Sequence, residues 1–178
     1  MNARTLLPTM SAPDTGSPHN TRTRKPRKVN APVTDLVKPL PQPSLLALPF
    51  WKALQFGQLQ LQHCEACGFF NHPPRLRCPK CHGKALRWTA VAPRGTVYSY
   101  TIVYRAPMPV FKADLPYAVA LVDIEGTSVK LLSNLLIDVA QVHVGMPVEM
   151  VFEPASVEIT LFKFKPDTKA KGESLAQH

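Results

Sequence analysis

The chain has 178 residues, 45% of them apolar and 19% charged, and 21 Lys and Arg against 12 Asp and Glu give it a formal charge of +9. The apolar fraction excludes a wholly disordered chain, no apolar run approaches the ~18 residues of a membrane span, and eight glycines beside nineteen prolines exclude a collagen-like repeat. An excess of +9 raises nucleic acid as a partner, a reading that the placement of the charge has to support.

The charge is unevenly placed. Residues 1–50 carry a net +5 and nine of the prolines, residues 51–91 another +5, residues 92–165 a net −1, and residues 166–178 balance at zero. Residues 1–44 read as a disordered, basic, Pro-rich tail, because they offer too little apolar surface to offset the entropy of ordering. Arg22, Arg24, Lys25, Arg27 and Lys28 are its densest cluster, either a solvated linker or an arm for an acidic partner or RNA. No apolar signal-peptide core precedes them, so a cytoplasmic chain is expected.

Residues 45–91 read as a helix followed by a metal ribbon. Leu46, Phe50 and Leu54 repeat at i, i+4, with Trp51 beside them, and predict a helix over 45–57 that packs onto its own domain. Pro49 suits the first turn and Gly57 the C-terminal cap. The period then drops to two in Leu59-Gln60-Leu61-Gln62, which reads as a strand entering the cysteines.

All four cysteines lie within 18 residues, as Cys64-x2-Cys67 and Cys78-x2-Cys81. A structural zinc takes four soft ligands in a tetrahedron, and each C-x2-C turn supplies two from one knuckle. Gly68 follows the first pair directly, where the knuckle needs positive φ. In the second pair the glycine comes one place later, at Gly83, and Pro79 stiffens the turn. A disulfide framework and a rubredoxin-type iron centre use the same four residues. Four thiolates close the site to water, which fits structure rather than hydrolysis. His63, His72 and His82 are then surface or supporting residues rather than ligands.

Between the pairs, Pro73-Pro74 hold an extended loop that presents Arg75 and Arg77 beside the metal, with Lys80 behind them. These cations either clamp a phosphate or carboxylate or neutralise the thiolates. Four thiolates on one zinc carry −2, which lowers the ribbon's effective charge from +5 to about +3.

Residues 92–165 read as five strands: 96–104, 117–124, 127–136, 148–152 and 157–164, with a short helical piece near Asp138–Val142. That order suits an OB-like five-stranded Greek-key barrel. Tyr98, Tyr100 and Tyr104 are placed on one face of its first strand, as core or protein contacts. A barrel of net −1 lacks the electrostatic footprint of a nucleic-acid binder, so nucleic acid is only the alternative partner. Asp114, Asp123, Glu125 and Asp138 read as solvated turn carboxylates. Residues 166–178 form a second short tail.

Four segments in this order resemble one family. They are Cys64-x2-Cys67-Gly68 with Pro73-Pro74-Arg75 and Cys78-Pro79-x-Cys81; Gly95 to Thr101; Pro116 to Val122; and Val144 to Val148. The family is the zinc-ribbon plus OB-fold proteins associated with acyl-CoA enzymes, long catalogued as a domain of unknown function, and the resemblance covers about residues 48–154. It implies a mainly β fold of N-terminal helix, rubredoxin-like zinc ribbon and OB barrel. It also implies a non-catalytic accessory subunit of a thiolase-like enzyme, an aldolase (sterol side chains among the substrates) or a hydratase. One structural zinc would sit on Cys64, Cys67, Cys78 and Cys81, with acyl-CoA as a shared ligand. The rigid basic loop beside the metal, not the resemblance, makes Arg75, with Arg77 and Lys80 behind it, the expected contacts for its phosphates.

Overall fold

A computed structural model describes residues 37–168. Residues 1–36 and 169–178, which hold most of both expected tails, lie outside the described residues. Residues 37–44 form neither helix nor strand, and Lys38 reaches Asp114 at 2.6 Å and lies over the Phe111 ring. A 3-10 turn, Leu45–Ala47, leads into helix α1, Leu48–Gln55. The i, i+3, i+4 set Phe50, Ala53 and Leu54 forms its buried face. The helix ends in a Schellman cap: Gly57 turns at φ 68°, its N–H donates to Leu54 O, and Gln58 N–H donates to Ala53 O.

Strands β1 (Leu59–Cys64), β2 (Phe70–Asn71) and β3 (Leu86–Val91) form an antiparallel ribbon in the order β2-β1-β3. Strands β4 (Arg94–Val103), β5 (Tyr117–Ile124), β6 (Lys130–Leu135), β7 (Pro147–Pro154) and β8 (Thr160–Pro166) close a barrel in the order β4-β5-β6-β8-β7. The closure is a single parallel contact, Leu135 with Phe164, and every other pairing in the barrel is antiparallel. This is the OB-fold arrangement, and the fold is mainly β with one short helix.

Period-two patterning builds the barrel interior. Strand β5 alternates strictly, with Ala118, Ala120, Val122 and Ile124 facing in. Gly95 is required there, because a Cβ at that position would lie 2.0 Å from Asp123 O. The 3-10 turn Val139–Gln141 occupies the expected place between β6 and β7, and Asp138 caps it by accepting from Ala140 N–H at 2.9 Å. The largest departures from the expected strand starts are at β6 and β8. Residues 125–128 are spent on the Gly126 turn, where Thr127 Oγ1 donates to Ile124 O and accepts from Val129 N–H, so β6 begins at Lys130. Ser156 Oγ accepts from Glu158 and Ile159 N–H, and this turn delays β8 to Thr160.

The tyrosines need correction. A β-bulge between Val97 and Ser99 makes Tyr98 the extra residue of β4 and breaks the period of two. Tyr98 lies outside, under the Lys130 ammonium at 4.6 Å, whereas Tyr100 pairs with inward-facing Ala120. None of the three is core: Tyr98, Tyr100 and Tyr104 are 57%, 39% and 71% exposed.

Helix, ribbon and barrel share one core, in which Phe50, Leu54, Leu59 and Leu61 join Val97, Val122 and Phe164. The Phe50 ring meets His72 of the ribbon loop at 4.8 Å and Phe162 of β8 at 5.8 Å. Ser128 Oγ, on the barrel, donates to Phe70 O of β2 at 3.0 Å. Among the described residues no helix is long and apolar enough to cross a membrane.

Candidate metal centre and basic loop

Two knuckles of the same backbone design hold the cysteines. In the first, Gly68 N–H donates to Cys64 O and Cys64 N–H to Phe69 O; in the second, His82 N–H donates to Cys78 O and Cys78 N–H to Gly83 O. Gly68 has φ 71°, and its counterpart is His82 at φ 60°, not Gly83. A histidine therefore occupies the left-handed position that the sequence suggested for the neighbouring glycine. Gly83 lies against the metal cluster instead, where a Cβ would come within 3.3 Å of Cys81 Sγ.

The knuckles bring the four sulfurs within 4.8 Å of one another, with Cys64 to Cys81 and Cys67 to Cys78 each 3.6 Å apart. A disulfide needs about 2.05 Å, so the four remain thiols. A tetrahedral zinc with Zn–S of about 2.3 Å requires sulfurs about 3.8 Å apart, so the residues fit that ion. The electrostatics also ask for a cation. Burial works against the Cys78 thiolate, but N–H groups of Cys81 and Lys80 directed at its sulfur bring the thiol down to about 7. The Phe69 N–H favours the Cys67 thiolate, yet burial and the neighbouring sulfurs push that thiol up to about 12. Four sulfurs this close cannot all ionise without a dication among them.

None of the three histidines belongs to the cluster. His63 stacks on Phe70 at 4.6 Å, and His72 packs on Phe50, where burial lowers its pKa below the usual 6.5. His82 is exposed.

The loop between the knuckles is held by a residue the sequence reading placed as an ordinary alternating polar position. Gln62 is 5% exposed, because β1 is the central strand of the ribbon. Its Oε1 accepts from Asn71 Nδ2 at 2.9 Å and from Arg75 N–H at 2.8 Å. Arg75 is thus fixed at the backbone while its side chain is exposed. Arg77 turns toward the second knuckle and donates to His82 O at 3.3 Å, and Lys80 is exposed on that knuckle. Among the described residues no ion pair engages Arg75, Arg77, Lys80 or Lys84, whereas Arg87 meets Glu65. The barrel differs: Arg94, Lys130, Lys163 and Lys165 on its strands each pair with a carboxylate.

The concavities lie elsewhere. A cleft of about 790 Å³ at the end of the barrel is lined by Arg94, Gly95, Asp123, Glu125, Glu149 and Asp167, the wrong charge for a phosphate. A smaller apolar groove of about 320 Å³ runs between helix and barrel, past Pro41, Trp51, Val119, Leu132 and Phe162. It joins residues distant in sequence, so no local pattern announced it.

The comparisons with known proteins fall on these same parts. Residues 51–87 match the family described as ChsH2, rubredoxin-like zinc ribbon domain, and residues 88–153 match ChsH2, C-terminal OB-fold domain. A probable enoyl-CoA hydratase alpha subunit of Thermomonospora curvata is 39% identical over 122 residues, 66% of this chain; the chain spans only 36% of that relative's length. A DUF35 domain-containing scaffold protein of Methanocaldococcus jannaschii is 32% identical over 112 residues, 58% of this chain and 77% of the relative. The solved structure of an Ltp2-ChsH2(DUF35) aldolase aligns with TM-score 0.64 at 33% identity, over 71% of this chain and 98% of the matched one. With the two family models together spanning residues 51–153, the chain belongs to the ChsH2 (DUF35) family of rubredoxin-like zinc ribbons joined to an OB-fold domain.

Proposed function

We propose that this chain is a non-catalytic accessory subunit that scaffolds an acyl-CoA-processing enzyme, of hydratase, aldolase or thiolase-like type. The observation that carries the reading is the shared core of helix, ribbon and barrel. It fixes an exposed basic loop on one side of a rigid body, as a scaffold needs and as a flexible pair of modules would not provide. The names of the relatives support it: a hydratase alpha subunit, a scaffold protein and an aldolase assembly. Steroid side chains are one substrate class consistent with such a partner. The metal is one structural zinc per chain on Cys64, Cys67, Cys78 and Cys81, closed to substrate by its four thiolates. Cysteines kept as thiols suit a reducing compartment, the cytoplasm.

Acyl-CoA is the shared ligand in this reading. Arg75, with Arg77 and Lys80, meets its phosphates, because among the described residues no carboxylate pairs with these cations and Arg75 stands on a pinned backbone. Nucleic acid is the lesser reading, since the strand-borne cations of the barrel are spent on carboxylates.

Co-expression with candidate hydratase-, aldolase- or thiolase-fold subunits tests the scaffold. A stable complex with acyl-CoA turnover only in the complex is the expected result, and turnover by the isolated pure chain would reject it. Within the complex, Arg75→Ala should weaken acyl-CoA binding about tenfold, the scale of one charge-assisted hydrogen bond. Unchanged affinity would remove the phosphate role and leave the scaffold standing.

A further inference from the structure

Half of β4 has an open edge. Ile124 N–H donates to Val129 O at 3.0 Å, so Ile124, Val122, Ala120 and Ala118 turn their backbone groups toward β6. Antiparallel alternation then gives those of Asp123, Leu121, Val119 and Tyr117 to β4, where they meet Thr96, Ser99, Thr101 and Val103. Gly95, Val97, Tyr100 and Ile102 face the other side. There β7 pairs with Arg94–Thr96, and Val97 exchanges bonds of 2.9 and 2.8 Å with Met146 and Gly145. Beyond Val97 no described strand pairs with this edge. Tyr98 to Thr101 are all exposed along it.

The sequence there is Tyr98-Ser99-Tyr100-Thr101-Ile102-Val103-Tyr104, without charge, proline or glycine and rich in strand formers. Uncovered strand edges in folded proteins are ordinarily blunted by lysine, proline or a bulge. Here the bulge sits at Tyr98, at one end of the segment, and among the described residues no further strand pairs with the free edge of residues 99–103.

We propose that a second copy of this chain covers this edge, adding its own β4 antiparallel so that two barrels share one continuous sheet. The pattern is self-complementary about a two-fold axis through Thr101. Tyr100 would exchange N–H···O=C bonds with Ile102 of the partner subunit, and Ile102 with Tyr100 of the partner subunit. Thr101 would face Thr101 of the partner subunit as a non-hydrogen-bonded pair, the closer kind, at about 4.5 Å between Cα atoms. Charge selects this surface over the rest of the chain. Two copies repel through their ribbons, each nominally +5, while the barrel is −1 and the strand itself neutral. The inference does not depend on the accessory role.

Light scattering or sedimentation of the full, metal-loaded chain across the micromolar range should show a species of twice the 19.7 kDa chain mass. Thr101→Lys changes an exposed side chain, so it leaves the fold intact while opposing two like charges across the axis; it should weaken the dimer at least about tenfold. Thr101→Glu alone should do the same, and an equal mixture of the two variants should associate again. The Tyr100 and Ile102 amides should exchange slowly in the wild-type dimer and fast in Thr101→Lys. A wild-type chain that stays monomeric, a dimer unaffected by Thr101→Lys, or a mixture that fails to pair would each overturn the proposal. Protection of these amides that appears only when an enzyme subunit is added would overturn it as well.

Discussion

Phe50→Ala tests whether helix, ribbon and barrel are one cooperative body. The ring is 2% exposed and stands between Trp51 at 5.6 Å, His72 at 4.8 Å and Phe162 at 5.8 Å. Truncating a fully buried phenylalanine costs about 3–5 kcal/mol, from lost transfer energy and the cavity left behind. Three ring neighbours from three parts of the fold place this one toward the upper end. Against a domain stability of about 5–15 kcal/mol that is a large fraction. With a urea slope of about 2 kcal/mol/M, the midpoint falls by about 2 M. Equilibrium unfolding should be followed by two probes. Trp51 and Trp88 fluorescence reports on helix and ribbon, and far-UV dichroism is dominated by the barrel strands. In the wild type both transitions should coincide. A loss below about 1 kcal/mol in the variant, or a wild-type fluorescence transition that precedes the dichroism, would refute the shared core.

Three other outcomes are expected. Gly95→Ala must push a Cβ against Asp123 O, which is backbone and cannot yield, so a loss of at least about 1–3 kcal/mol should appear in the same titration. The His72 pKa is depressed in the fold by burial, so below about pH 6.5 the unfolded chain binds a proton that the folded one refuses. Stability should therefore fall as pH drops from 6.5 through the folded pKa, and His72→Gln should flatten this slope relative to wild type. Elemental analysis should give one zinc per chain, and chelation should lower the unfolding midpoint; a metal-free chain with an unchanged midpoint would show that the ion contributes nothing to folding.

The sequence was most legible where period and spacing act locally. Two C-x2-C pairs predict the four-sulfur cluster because each knuckle is a closed local turn, and the alternation of β5 survives into the barrel because Ala118, Ala120, Val122 and Ile124 share one face. It was least legible where one residue changes the phase. Tyr98, as a bulge, turns an apparent tyrosine face into two opposite placements, and no residue type announces a bulge of this kind. Gln62 looked like an outward position of an alternating strand, but burial there depends on β1 being the central strand and on the ribbon loop folding over it. His82 in the left-handed region was hidden by the adjacent Gly83, which offered an easier residue for the same conformation. The apolar groove joins Pro41, Trp51, Leu132 and Phe162, a neighbourhood that only tertiary packing creates.

The net charge separates two surfaces with different uses. The barrel's strand cations each face a carboxylate, so that surface is close to neutral and can meet another apolar or neutral strand at little electrostatic cost. The ribbon has only Glu65 as an acid, engaged by Arg87, and the thiolates that offset part of its charge are tied to the metal site. Its remaining cations, Arg75 foremost, are therefore the ones whose attraction reaches solvent. Salt should discriminate between the two surfaces. Binding of a phosphate-bearing ligand through the ribbon should weaken steadily as ionic strength rises and the Debye length shrinks from about 10 Å at 0.1 M. Pairing through β4, which opposes no charges, should hold or strengthen over the same range. Equal salt sensitivity of both would mean that the charge map does not govern these contacts.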